Sequence, residues 1–332
     1  MRFLHSGFFT YTKMKILFTC DIHIKLGQKN VPVPWAKNRY KKLIDQLHAW
    51  QEDADMFIIG GDIFDKLPNM EELEVYYDLV ASCRIPTLIY PGNHESIKKD
   101  TTFFTYLKNV TTRLNKLVTV IDDYYTHPDN TFDIIPYNKL KEYNPAYIDF
   151  HADLLFTHVR GEIPPHVKPE VNLAIFDRWK TVLAGDLHSY ENSQRNILYP
   201  GSPLTTSFHR TVVDTGVILF DTDTHTHEWI KLNLPQLIRK TIQAGDPMEA
   251  TDYHHTIFEI EGDMAELANM ADNELIDKKV VKRDSDTALI LDPKLTLAEE
   301  VKEYLTYILA LDENTIEACV QILNNNMDKI DD

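Results

Sequence analysis

Five short apolar runs in this chain each end on a residue that can hold a metal ion or move a proton. Residues 16–19 lead into Cys20-Asp21-Ile22-His23, and residues 56–59 into Gly60-Gly61-Asp62-Ile63-Phe64-Asp65. Residues 87–90 are followed by Pro91-Gly92-Asn93-His94-Glu95, residues 154–157 by His158, and residues 182–184 by Gly185-Asp186-Leu187-His188. Runs this short, rich in Ile, Val, Leu and Phe and bounded by Gly, Asp, Asn or Pro, read as buried strands. In open α/β sheets, sites form beyond the carboxyl ends of strands. One histidine among 14 usually belongs to surface or core, and a lone Gly-Asp after a strand is usually a turn. Five strand ends carrying such residues in one chain point instead to a shared site.

The rest of the chain frames those ends. Further strand-like runs fall at 117–121, 132–136, 197–199 and 217–220. Helix spacing places apolar residues at Tyr40, Leu43, Ile44, Leu47 and Trp50 over residues 39–50, and at Leu73, Val75, Tyr76, Leu79 and Val80 over residues 71–83. A third helix starts at residues 103–107. Early strand–helix alternation followed by mostly strands predicts an α/β fold, a β-sandwich flanked by helices, over residues 14–235. Residues 236–295 predict a small α/β capping domain, with strands at 257–260 and 288–291 and a helix at 264–275. Residues 296–332 predict a helical segment, with helices at 297–311 and 316–323. Residues 1–13 lack an unbroken apolar core and a small-residue cleavage site, so they read as a flexible extension and not a signal peptide.

Charge and composition exclude several classes. Residues 241–332 carry 22 acidic and 7 basic residues, a net of −15, which leaves 29 and 27, a net of −2, for residues 1–240. Such a balance argues against unaided, charge-driven binding to nucleic acid. It does not exclude a nucleic-acid enzyme, because metal ions offset ligand carboxylates and a basic partner can supply the groove. No stretch reaches 18 apolar residues, so no transmembrane helix is expected. Three cysteines, Cys20, Cys83 and Cys319, show no paired spacing, and a reducing cytoplasm is the expected setting.

The donor types narrow the chemistry. Carboxylate, imidazole and amide oxygen without thiolate suit manganese, iron, zinc or magnesium with open positions. Asp21-x-His23 places both side chains on one side of an extended strand end. Asp62 follows two glycines, which let the backbone turn sharply. A carboxylate can bridge two cations, and paired ions serve hydrolases that transfer phosphoryl groups.

Asp21-x-His23, Gly61-Asp62-x-x-Asp65, Gly92-Asn93-His94-Glu95, His158 and Gly185-Asp186-x-His188 together resemble the calcineurin-like metallophosphoesterase superfamily. Within it the Gly-Asp-Ile-Phe-Asp motif and Tyr199-Pro200-Gly201-Ser202-Pro203 resemble the SbcD-type nucleases of double-strand-break repair, in their compact phage-type version. The resemblance implies roles. Asp21, His23 and His188 would hold one metal ion; Asn93, His158 and Asp186 would hold a second; Asp62 would bridge both. His94 would orient the scissile phosphate and protonate the leaving oxygen, a task suited to an imidazole. Asp65 and Glu95 would orient the ligands from behind. Two departures stand out: Asp186 replaces the family's usual His, adding a negative charge and favouring harder ions, and Glu95 replaces the usual Asp.

The family further implies a manganese-dependent enzyme, with magnesium as the alternative ion. It would act as a 3′-to-5′ exonuclease on duplex DNA and as an endonuclease on single strands. It would work in DNA replication, recombination and repair, in the cytoplasm of a bacterial or phage-infected cell and away from membranes. Its partner would be an SbcC-like ABC-class ATPase with a long coiled coil, docked on the C-terminal helical segment, with a homodimer inside a heterotetramer. Two other readings stay open on sequence: a phosphomonoesterase or cyclic-nucleotide phosphodiesterase of the same superfamily, which would share every ligand, and a non-catalytic scaffold.

Overall fold

The computed structural model describes residues 13–98, 101–148, 150–271, 273–281, 295–309 and 311–327. They fall into two compact units, one within Met1–Glu259 and Asp272–Lys278, the other within Ile260–Ala271 and Lys279–Asp332. In chain order the strands of the first body are β1 (Lys15–Thr19), β2 (Met56–Gly60), β3 (Thr87–Tyr90), the hairpin β4 (Ser96–Lys98) and β5 (Thr101–Thr102), β6 (Val118–Val120), β7 (Tyr125–Thr126), β8 (Asp133–Ile135), β9 (Leu154–His158), β10 (Thr181–Gly185), β11 (Ile197–Leu198), β12 (Gly216–Asp221) and β13 (Thr226–Lys231). One sheet has the order β13-β12-β1-β2-β3-β6 and the other β11-β10-β9-β8-β7. The strands that end at the predicted site, β1, β2 and β3 in one sheet and β9 and β10 in the other, run parallel to their neighbours in that set.

The two sheets stack through a shared apolar layer. Alternation along each strand decides who enters it. Ile16, Phe18, Ile58, Leu88 and Tyr90 from one sheet meet Phe132, Ile134, Leu154, Phe156 and Leu183 from the other. The intervening residues Leu17, Phe57, Ile59 and Ile89 face the opposite way, where Tyr40, Leu43, Val75 and Leu79 cover them. Those last residues come from α1 (Val33–Trp50) and α2 (Met70–Ala81), joined in this layer by α3 (Phe104–Leu114). The far face of the second sheet packs Leu155, Val182 and Ala184 against Phe150, Phe176 and Trp179, beside the short α4 (Tyr137–Leu140). Both faces of the central strands are therefore buried, which is why β1, β2, β3, β9 and β10 read as continuous apolar runs. The predicted α/β sandwich flanked by helices is what the chain forms.

Helix α1 starts six residues earlier than its apolar spacing shows. Pro34 sits in its first turn, where the missing N–H has no intrahelical partner to lose. Helix α2 opens on a capping box in which Asn69 and Glu72 exchange backbone hydrogen bonds.

A third sheet follows, with the order β14 (Leu237–Gln243), β15 (His255–Gly262), β16 (Ile276–Val281). The second unit holds α5 (Met264–Asn269), α6 (Leu297–Glu303), a π-helical turn at Tyr304–Ile308 and α7 (Glu313–Met327), with α6 and α7 packed on each other. The helix predicted over 264–275 ends at Asn269, because Met270 turns to extended backbone. The expected strand at 288–291 lies outside the described residues. The single helix expected over 297–311 divides at Tyr304 into α6 and the π-helical turn. Among the described residues, no helix is long and apolar enough to cross a membrane.

Candidate metal centre

The loops that leave β1, β2, β3, β9 and β10 converge at one edge of the sandwich. Asp21, His23, Asp62 and Asp186 adopt left-handed backbone, with φ of 53°, 48°, 50° and 103°. Non-glycine residues held there cost about 1–3 kcal/mol each. Hydrogen bonds between the loops hold them: Asp21 donates its N–H to the Gly61 carbonyl (3.0 Å), and His23 and Ile24 donate theirs to the Asp62 and Ile63 carbonyls (2.9 and 2.7 Å). Glycine is required where the loops meet most closely. A Cβ on Gly61, itself at φ +83°, would lie 2.6 Å from His158 Nδ1, and one on Gly92 would lie 2.5 Å from the Asp62 nitrogen.

Glu95 ties two of these loops together. It is fully buried, and its Oε2 accepts from the Asp62 N–H (2.9 Å) and the Gly92 N–H (2.8 Å), while its Oε1 accepts from the Phe64 N–H (2.9 Å). Burial and the nearby Asp62 carboxylate push its pKa up to about 7, against the pull of those N–H bonds. The longer side chain at this position thus reaches across to the β2 loop.

The donor atoms then gather in three overlapping groups: Asp21, His23 and His188; His23, Asp62 and His94; Asp21, Asp62 and His158. Asp62 faces His158 Nε2 at 3.4 Å and both His23 Nε2 and His94 Nε2 at 3.8 Å. His23 and His188 bring their Nε2 atoms to 3.1 Å, and His188 Nε2 lies 3.7 Å from Asp21. Asn93 joins through its side-chain oxygen, 2.9 Å from His158 Nε2.

These atoms suit cations. The Asn93 oxygen faces only acceptors; with the amide turned over, its nitrogen donates to His158 Nε2 (2.9 Å) and to Asp62 (3.0 and 3.2 Å). The turned amide satisfies both neighbours, and the oxygen-inward amide presents a donor atom that could hold a cation. His158 Nδ1 donates to the Gly60 carbonyl (2.9 Å), which leaves its Nε2 lone pair pointing into the centre. Burial works against charge on His158, yet Asp62, Asp21 and Asp186 raise its pKa well above the ordinary value, so this space draws positive charge, carried by a proton on Nε2 or by a cation in its place. Burial holds His23 near a pKa of about 3, so its ring is a neutral donor. Burial opposes the Asp62 charge too, but His158, His23 and His94 keep the carboxyl below the ordinary range.

Three predicted site residues stand at the rim. His94 donates its Nδ1–H to the Asp65 carbonyl (2.6 Å) and is more than a third exposed. Burial works against its charge, but Asp62 and the Asp65 carbonyl raise its pKa. Asp65 pairs with Lys25 (2.9 Å) and approaches His23 Nδ1 only to 3.9 Å, beyond hydrogen-bond reach. Asp186 donates its N–H to both Asp21 oxygens (3.1 Å), but its carboxylate turns to Arg160, which donates from Nε and Nη2 at 3.0 and 3.2 Å. Among the described residues no Asp186 oxygen joins the donor groups. The extra negative charge expected at this position is therefore offset by a guanidinium. Arg160 and Thr206, whose hydroxyl is 3.2 Å from His188 Nδ1, escaped sequence reasoning. Only the position of Arg160, two residues past His158, offered a signal.

Comparison with known proteins accords with this centre. A model of the calcineurin-like phosphoesterase family matches residues 14–192. The chain is 41% identical over 320 residues to "Probable exonuclease subunit 1" of Escherichia phage T5, covering 92% of this chain and 96% of that one. It is 24% identical over 264 residues to "Putative phosphoesterase 078R" of Invertebrate iridescent virus 3, covering 70% of each. Among solved structures, an archaeal phosphodiesterase aligns with a TM-score of 0.37 and 15% identity, covering 66% of this chain and 100% of that one. With its strand-end Asp, Asn and His residues inside a match that spans more than half of its length, this chain belongs to the calcineurin-like phosphoesterase family.

Proposed function

We propose that this chain is the nuclease subunit of a two-metal phosphodiesterase that degrades DNA. The observation that carries the reading is the gathering of Asp21, His23, Asp62, His158 and His188 into one donor cluster with His94 at its exposed rim. The 41% identity to a phage exonuclease subunit, over 92% of this chain, supports DNA as substrate. Asp21, His23 and His188 would hold one ion and Asn93 and His158 the other, with the Asp62 carboxylate 3.8 Å from His23 and 3.4 Å from His158. When bound, the ions lower the pKa of water and offset phosphate charge. Manganese is the preferred ion, in line with the resemblance to SbcD-type nucleases.

His94 supplies the proton. The Asp65 carbonyl fixes its ring through Nδ1, and Asp62 favours its charged form. Its Nε2–H is then free to protonate the leaving oxygen. Glu95 keeps the β2 and β3 loops in register, which holds Asp62 and His94 at their separation.

We further infer exonuclease action from 3′ ends of duplex DNA and endonuclease action on single strands, in replication, recombination and repair within the cytoplasm of an infected or bacterial cell. The word subunit in the relative's name supports a partner, read here as an SbcC-like ATPase around a homodimer. Residues 236–295 serve as the capping domain, and residues 296–332 dock the partner. Leu297, Tyr304, Tyr307 and Leu309 are exposed on that segment, apolar side chains of the kind a partner would cover.

The test is degradation of end-labelled linear duplex DNA by the chain, with manganese and with magnesium, beside His94→Ala. We expect stepwise loss from 3′ ends with manganese. His94→Ala should lower the rate by about 10²–10⁴-fold with manganese content unchanged. Intact DNA, with and without the ATPase partner, alongside turnover of p-nitrophenyl phosphate would reject the nuclease reading.

A further inference from the structure

We propose that Arg160 contacts the substrate phosphate at this centre, and that Asp186 positions Arg160 instead of ligating a metal ion. The inference rests on the phosphodiesterase reading above.

The geometry begins at β9. Val159 continues its ladder by donating to the Gly185 carbonyl (3.2 Å), and its own carbonyl accepts from the Tyr199 hydroxyl (3.1 Å). Arg160 stands two residues past His158, just beyond the end of β9, and its side chain reaches the loop after β10. There its guanidinium lies on the Asp186 carboxylate as a two-pronged fork, and Asp186 in turn is bonded through its N–H to Asp21, a member of two donor groups. The guanidinium is thus one residue removed from the cluster.

Exposure separates the two partners. The Asp186 side chain is 7% exposed and that of Arg160 is 45% exposed. The carboxylate is covered and the guanidinium is open to solvent, as are the His94 and His188 side chains at 37% and 42%. A guanidinium carries five N–H donors. Asp186 takes one from Nε and one from Nη2, and the others make no hydrogen bond among the described residues. A phosphate that reaches the Asp186 side of the centre meets a cation already held in place, whose planar fork matches two phosphate oxygens.

Charge gives the second argument. A neutral imidazole at position 186 adds nothing to the balance of the centre, and a free carboxylate adds a negative charge beside Asp21 and Asp62. Paired with Arg160, Asp186 returns the position to neutrality while moving positive charge to the mouth. Both Asp186 oxygens are committed to that fork, and neither reaches the donor groups.

Titration calorimetry on the full chain separates the roles. Manganese is titrated first, then inorganic phosphate into the manganese-loaded protein, for wild type, Arg160→Ala, Arg160→Lys and Asp186→Asn. We expect all four to bind the same number of manganese ions. Phosphate affinity should fall about 10–100-fold in Arg160→Ala, the loss of a charge-assisted pair. Arg160→Lys should recover part of it, since lysine restores the charge without the fork. Asp186→Asn should weaken phosphate about 3–10-fold and raise KM for bis(p-nitrophenyl) phosphate by a like factor, with kcat within about twofold, as expected for uniform binding. Loss of one manganese ion in Asp186→Asn would make Asp186 a ligand and overturn the proposal. So would unchanged phosphate affinity in Arg160→Ala, or a wild-type chain that binds manganese but no phosphate. The readouts do not involve DNA: a chain with this pattern that leaves DNA intact keeps Arg160 in its role and loses only the nuclease reading.

Discussion

Strands β1 and β16 are of similar length and are held in opposite ways. β1 reads KILFT and is buried from Ile16 onward, with apolar layers on both of its faces. β16 reads IDKKVV, lies at the edge of its sheet, and has no fully buried residue. Ion pairs anchor it instead: Asp277 with Arg239 at 2.8 Å and Lys278 with Glu259 at 2.6 Å, besides Asn30 on Asp277 at 3.3 Å. The first mode draws on area removed from water, about 25 cal/mol per Å². The second draws on partly exposed pairs worth about 0–1 kcal/mol each. The candidate metal centre grows from the ends of strands of the first kind, so its donor residues follow the most deeply buried strands.

The sharpest way to break this contrast is Phe156→Ala. Phe156 is fully buried between the sheets, with its ring 5.3 Å from both Phe18 and Phe132. Truncation should cost about 3–5 kcal/mol, read from urea unfolding. A loss below about 1 kcal/mol would show that the layer between the sheets is not what holds the centre in place.

Next in size is Glu95→Gln. The carboxylate serves three backbone N–H groups with two oxygens. An amide presents an N–H₂ to at least one of them, leaving a buried donor unpaired at about 1–3 kcal/mol. Because one of those donors belongs to Asp62, manganese affinity should fall together with stability. Unchanged affinity in a destabilised variant would detach Glu95 from the centre and leave it a role in the fold alone.

The same contrast decided what the sequence disclosed. Residues 16–19, 56–59, 87–90, 154–157 and 182–184 announced β1, β2, β3, β9 and β10, because two buried faces leave no room for polar alternation. The ligand types at their ends were legible for the same reason, since a polar residue after such a run stands out. β14 (LIRKTIQ) and β16 were not legible: Lys240 and Lys278 face solvent and interrupt any period. The α5 boundary failed because Met264–Asn269 and the segment after it share a helical composition. At the centre, Glu95 was legible as a position and not as a clamp, which depends on three N–H groups from two loops. Arg160 was legible only as a position near His158, because its meaning lies in Asp186, 26 residues later and on a different strand end.

The smallest effect tests the other half of the contrast. Glu259 on β15 is 6% exposed and is flanked by Lys278 at 2.6 Å and by Arg210 at 2.9 Å. Lys278→Ala removes a half-exposed ammonium and leaves Arg210 in place, so the loss should stay under about 1 kcal/mol. Arg210→Ala alone should behave alike. With both removed, a covered carboxylate keeps no cation, and the double variant should lose more than the two single losses together, by about 0.5–3 kcal/mol. Urea unfolding of the three variants and wild type closes this cycle. Strict additivity would mean that Glu259 is solvated well enough to need neither partner, and the side-chain hold on this edge would then rest on Asp277 with Arg239 and Asn30.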